Sequence, residues 1–89
     1  MTPDAAETIA LQALSHLVGD QAALDRFIAL TGIGAEEIRA SVADPAFLAG
    51  VLDFYLGNEA QLLEMCAATD LPPELPRQAR YALPGAVYD

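Results

Sequence analysis

Residues 14–39 read LSHLVGDQAALDRFIALTGIGAEEIR, and residues 52–77 read LDFYLGNEAQLLEMCAATDLPPELPR. At this offset Leu14 falls on Leu52, Gly19 on Gly57, Ala22 on Ala60 and Leu24 on Leu62. Ala29 then falls on Ala67, Thr31 on Thr69, Glu36 on Glu74 and Arg39 on Arg77. Conservative pairs fill the gaps: Ile9 with Phe47, Val18 with Leu56, Asp20 with Asn58, Ile33 with Leu71. Self-similarity at a period of this length marks a helical unit used twice. It speaks to architecture and not to chemistry.

Helix punctuation extends outward from this stretch. Thr2-Pro3 reads as an N-cap followed by an N1 proline, with Asp4 and Glu7 near the positive helix end. The first helix is expected to end near Val18, with Gly19 as a left-handed cap. Asp20 caps a second helix running from Gln21 to about Thr31, and Gly32 stops it. Glu36-Glu37 open a third helix through about Ala43. Asp44-Pro45 starts a fourth over residues 45–56, ended by Gly57. Asn58 caps a fifth, with Gln61 in a capping-box position, and it ends near Thr69. Pro72-Pro73 leads into a sixth helix reaching about Leu83, and Pro76, which aligns with Ile38, predicts that it starts late or irregularly. No segment alternates with period two, so no strand is expected.

These signals predict an all-α fold: six short helices as two pseudo-repeated three-helix units, about residues 3–43 and 45–83, in one compact bundle. Residues 1–89 form a single helical domain with a short tail over 84–89. The units are expected to close on each other about a pseudo-two-fold and to bury Leu14, Leu24, Ile28, Val51, Leu52, Leu62 and Cys66. Helix four carries Phe47, Leu48, Val51, Leu52, Phe54, Tyr55 and Leu56 around most of its circumference, with Asp53 its one charge. A helix that is apolar nearly all round is central or lies in an interface. Helix four is therefore read as the heart of the fold, and its Phe47, Phe54 and Tyr55 region, with Asp53, as an interface.

Size and composition set limits. A chain of 89 residues buries only about 60–65% of its unfolded surface. Yet 54% of its residues are hydrophobic, and the mean hydropathy is +0.30. Such an excess points to an apolar surface patch, although many of these residues are alanines that do not demand burial. The net charge is −9, there is no lysine, and the arginines are Arg26, Arg39, Arg77 and Arg80. Phosphate backbones are bound chiefly by Lys and Arg, so no nucleic-acid partner is expected, nor an anionic membrane. A basic protein partner or plain solubility suits the charge better. The N-terminus lacks the positive region of a signal peptide, and no apolar run approaches the roughly 20 residues of a membrane span. A lone cysteine makes neither an internal disulfide nor a zinc site, so a reducing cytoplasmic setting is expected.

Candidate chemistry is sparse. His16 has no sequence-evident metal co-ligand or nucleophile, and its counterpart is Phe54, so a half-buried or surface histidine is expected. Cys66 matches Ile28 and reads as a small core hydrophobe. Asp53 lies in the last turn of helix four, where the dipole disfavours a carboxylate. It either binds a basic partner, or lies on the narrow wet edge of the helix or pairs with Arg77 or Arg80. Glu36–Arg39 and Glu74–Arg77 have the spacing of helix-surface ion pairs. Residues 24–42, with Thr31-Gly32-Ile33-Gly34 between two helices, resemble a helix-turn-helix, but Glu36 and Glu37 would face phosphates. No catalytic constellation, cofactor loop or metal motif stands out.

The segments Leu24 through Ile33, Asp44-Pro45-Ala46-Phe47-Leu48-Ala49-Gly50-Val51-Leu52-Asp53-Phe54 and Leu71-Pro72-Pro73-Glu74 together resemble a known family. It comprises small alphaproteobacterial proteins catalogued only as a domain of unknown function, number 3572. The resemblance covers nearly the whole chain and implies a stand-alone bacterial protein. It brings no activity, cofactor or catalytic residue with it. The expected function is a non-enzymatic interaction module, working as a homodimer or on a protein partner. A helix-turn-helix protein is the alternative, and a small enzyme the third reading.

Overall fold

A computed structural model describes residues 1–85. Six helices follow in order: α1 (Pro3–Gly19), α2 (Gln21–Thr31), α3 (Ala35–Ala40), α4 (Pro45–Leu56), α5 (Glu59–Thr69) and α6 (Leu75–Tyr81). No strand occurs among the described residues, so the protein is all-α. Residues 86–89 of the expected tail lie outside the described residues.

Local chemistry accounts for most helix boundaries. The Thr2 hydroxyl accepts a hydrogen bond from Ala5 N, and Pro3 occupies the first turn of α1. Asp20 accepts from Ala23 N and Asn58 from Gln61 N, so α2 and α5 begin under the same cap. The capping box at Asn58 is only half formed. Its backbone N–H already donates to Tyr55 O, and the buried Gln61 Oε1 has no partner. The Pro76 ring falls in the first turn of α6, which accordingly starts late, at Leu75.

Three boundaries differ from the sequence reading, one being the end of α6, which comes at Tyr81 and not near Leu83. Gly19 is the last residue of α1 and not a left-handed cap. Asp20 is extended, with φ −118° and ψ 103°, and serves both as C-cap of α1 and as N-cap of α2. One residue that ends a helix and starts the next leaves no room for a left-handed turn. Gly57 likewise keeps right-handed angles before the extended Asn58. The third helix stops at Ala40 instead of Ala43. A turn closed by Asp44 N donating to Ser41 O then leads into the extended residue that Pro45 requires.

The core sits between α1 and α4, with α6 packed across both. α2 and α5 lean on this trio, α2 along α1 and through its Phe27 ring on α4, and α5 through both central helices. On α1 the residues Ala6, Ala10, Ala13 and Leu17 are fully buried at helical spacing. Small side chains on that face let neighbouring helix axes come close. α4 contributes Phe47, Leu48, Ala49, Val51, Leu52 and Tyr55, so its near-continuous apolar circumference does mark a central helix. Each fully buried leucine, such as Leu17 or Leu52, contributes about 1.5–3 kcal/mol.

Four of the expected core residues are buried: Leu14, Val51, Leu52 and Cys66. Leu24 and Leu62 are partly buried against the cluster. Ile28 is only half-buried, because the buried face of α2 runs through Ala23 and Phe27. The alanines hold more of the core than their hydrophobicity suggests: Ala6, Ala10, Ala13, Ala23, Ala49 and Ala79 are all buried. The third helices of the two halves are placed differently. α6 is pressed against α1 and α4, whereas α3 makes only sparse contacts with its neighbours.

Candidate functional site

The expected interface on α4 is mostly interior. Phe47 is 8% exposed and Tyr55 fully buried, while Phe54 is partly buried against the core. The four aromatic rings Phe27, Phe47, Phe54 and Tyr55 form one edge-to-face cluster. Phe27 meets Phe47 at 6.2 Å and Phe54 at 5.4 Å, and Phe54 meets Tyr55 at 5.3 Å. These residues are committed to the core and do not form a free contact surface. The apolar excess of α4 is consumed by α1, α5 and α6, which pack against it, and by Phe27 of α2.

Asp53 is the exposed member of the set, and it pairs with Arg80. Arg80 Nε donates to Asp53 Oδ1 at 2.7 Å, and the same guanidinium donates to Pro84 O and Gly85 O. The Arg80 side chain is only 15% exposed. One guanidinium thus fastens the end of α4 to the end of α6 and answers the unfavourable position of Asp53 at a helix C-terminus. Of the two pairings that the sequence left open, Arg80 is the one made. The spacing-based pairs Glu36–Arg39 and Glu74–Arg77 are not formed among the described residues.

His16 is half-buried and does something its sequence context did not reveal. Its Nδ1 lies 3.1 Å from the Tyr55 hydroxyl, which joins α1 to α4. A buried phenol needs a polar partner, and His16 supplies it. Burial, reinforced by the charges of Asp20 and Glu64, pushes the Tyr55 phenol well above its ordinary value. Burial, followed by the Glu74 carboxylate, also raises the Cys66 thiol. A thiol held protonated and buried is a packing group and a poor nucleophile. Among the described residues no three His, Cys, Asp or Glu side chains converge as a metal site.

A concavity lies elsewhere, between α1, α2 and α3. This cleft has a volume of about 470 Å³ and is mainly apolar. α1 contributes Leu11, Leu14, Ser15 and Val18, and α2 contributes Leu24. Ala35, Ile38 and Arg39 of α3 close the far side, followed by Val42. Leu14 and Ile38 form the floor at 5% exposure each, while Leu11, Val18 and Val42 stand open at 43%, 51% and 41%. Its volume falls within the usual range of binding clefts. The sequence carried one signal for it: Leu11, Leu14, Ser15 and Val18 share a stripe of α1. Whether that stripe is covered depends on where α3 settles, which no local pattern records. A shallower hollow between α1 and α5 is lined by Gln12, Ser15, His16, Ala68 and Thr69.

No helix among the described residues is long and apolar enough to cross a membrane. Residues 3–86 match a family model described as "Protein of unknown function (DUF3572)", and the chain belongs to that family. No curated protein and no solved structure matches it.

Proposed function

We propose that this DUF3572 member is a non-enzymatic, cytoplasmic interaction module whose contact face is the α1–α3 cleft and whose partner is a basic protein. The observation that carries this is the open apolar cleft, with Leu11, Val18 and Val42 exposed around a buried floor of Leu14 and Ile38. Clustered apolar exposure on a small domain marks an interaction surface. The charge of −9 favours a basic partner over a nucleic acid. We also read the chain as a duplicated three-helix unit, supported by the matched lengths and caps of α2 and α5. On that reading the cleft is where the two copies have diverged.

Site-specific photo-crosslinking in the native cell tests the proposal. A photoreactive residue replacing Val18, at the cleft, is compared with one replacing Leu63, which is 48% exposed on α5. Adducts with a second protein from position 18 and not from 63 support the cleft. Equal adducts from both positions overturn it, and adducts that contain only this chain replace a partner protein with self-association.

A further inference from the structure

We infer that the α1–α3 cleft receives one amphipathic α-helix of a partner protein, apolar on the inserted face and basic on its flanks. This rests on the reading of the cleft as the contact face and names what fills it.

Two observations select this occupant. The first is charge. Glu7 lies one helical turn before Leu11, Asp25 adjoins Leu24, and Glu36 and Glu37 open α3 beside Ala35 and Ile38. Against them the cleft itself holds a single cation, Arg39. An apolar trough whose three helices each carry acidic residues near its lining in sequence, on a body of net charge −9, complements an apolar stripe flanked by Lys or Arg. The second is that the fold already holds such a helix of its own. α6 reads LPRQARY: it buries Pro76 and Ala79 across α1 and α4, carries Arg77 and Arg80, and pins Arg80 to Asp53. A short basic amphipathic helix in an apolar groove of this acidic body is therefore an arrangement the molecule itself displays. The α1–α3 cleft is a second apolar groove on that body, without a helix in it.

Three synthetic 14-residue peptides serve as probes: an amphipathic Leu/Lys helix, the same pattern in Leu/Glu, and a Leu/Lys peptide of equal composition with the apolar stripe scrambled. Binding to the full chain is followed by methyl chemical shifts. The expected result is shifts at Leu11, Val18 and Val42, with the Leu/Lys helix bound at least about tenfold tighter than either control. Val18→Asp and Val42→Asp sharpen the test, because each adds a negative charge while spoiling the apolar wall. If attraction is charge alone, these variants bind the Leu/Lys helix more tightly. If the helix inserts, they lose about tenfold or more, while Leu63→Asp changes nothing. Two variants in different segments guard against a folding defect in one, and circular dichroism checks each.

Equal binding of the Leu/Glu helix, shifts confined to other surfaces, or tighter binding by both aspartate variants overturns the inference. If no peptide binds while position 18 still crosslinks a second protein, the cleft stands as the contact face and the helical occupant is wrong. If the free chain dimerises by light scattering and Val18→Asp makes it monomeric, a second copy is the occupant instead.

Discussion

The first helices of the two sequence halves, α1 and α4, both lie at the centre of the fold, and the third helices, α3 and α6, do not share a setting. α1 and α4 share five buried positions in register: Ile9 with Phe47, Ala10 with Leu48, Ala13 with Val51, Leu14 with Leu52 and Leu17 with Tyr55. Yet α6 is drawn down onto α4 and α1, while α3 stands away from α1 and leaves a cleft. Two pairs of corresponding positions go with the difference. Asp53 and Arg80 make an ion pair, and their counterparts are Ser15 and Val42, which cannot. Both of those line the cleft. A single exchange of polar partners accompanies a closed helix pair in one half and an open one in the other.

Paired truncations put the contrast to its strongest test. Leu52→Ala removes a fully buried side chain from the closed half, and a loss of about 3–4 kcal/mol in urea denaturation is expected. Leu14→Ala removes its counterpart from the cleft floor, where no enclosed cavity is created, and about 2 kcal/mol is expected. Equal losses would break the comparison. Next in size is Arg80→Ala, which releases Asp53 and the Pro84 and Gly85 carbonyls together and is expected to cost about 1–2 kcal/mol. The double variant Asp53→Ser with Arg80→Val gives the second half the chemistry of the first. It should lower amide protection across α6 and cost less than the two single changes added together. Unchanged protection in α6 would mean that apolar contacts alone hold this helix down.

The difference between the halves also separates what the sequence discloses from what it does not. Caps are local, so Thr2-Pro3, Asp20, Asp44-Pro45 and Asn58 were legible, and α2 and α5 run between their expected limits. The Asp53–Arg80 pair was half legible, since helical spacing offered Arg77 as well. Alanine burial was not legible, because Ala6, Ala10 and Ala13 are interior through the helices laid over them and not through any strong aversion to water. For the same reason Phe47 and Tyr55 were misplaced at a surface. An excess of apolar residues on α4 states that something covers it, and only the topology reveals that the cover is the chain itself. The cleft was hidden in the opposite sense, as an ordinary amphipathic stripe that the fold leaves uncovered.

The link between α1 and α4 has its own signature in pH. Tyr55→Phe deletes the hydroxyl that meets His16, and about 1 kcal/mol of stability should go with it at neutral pH. The Tyr55 phenol is raised in the folded protein above its ordinary value of 10.0. Folding therefore favours the neutral form. That contribution is complete below pH 10.0 and is lost as pH rises beyond it. Cys66, raised above 9.0, acts in the same direction. The urea midpoint should fall as pH climbs past these values, and Tyr55→Phe should remove the part of the decline that begins at 10.0. An identical alkaline decline in the phenylalanine variant would assign it to other groups.

The smallest expected effect concerns the residue that ends the second helix of each half. Gly32 and Asp70 both take left-handed angles, φ 74° and φ 59°, and their N–H groups donate to Ile28 O and Cys66 O. Just before them, the Thr31 and Thr69 hydroxyls each donate to the carbonyl four residues back at 2.7 Å. The next N–H differs, Ile33 donating to Thr31 Oγ1 and Leu71 to Cys66 O, but at the capping residue itself the difference is the Cβ that Asp70 carries in a conformation suited to glycine. Asp70→Gly should therefore stabilise the protein by about 0.5 kcal/mol, the relief of left-handed strain being partly offset by a more flexible unfolded chain. Gly32→Asp should cost about 1 kcal/mol, because a Cβ there meets no atom within 4 Å and only the backbone penalty remains. Thermal midpoints of the two variants check both signs. Should Asp70→Gly destabilise instead, the aspartate side chain contributes to the C-terminus of α5, and the likeness of the two caps ends at their backbones.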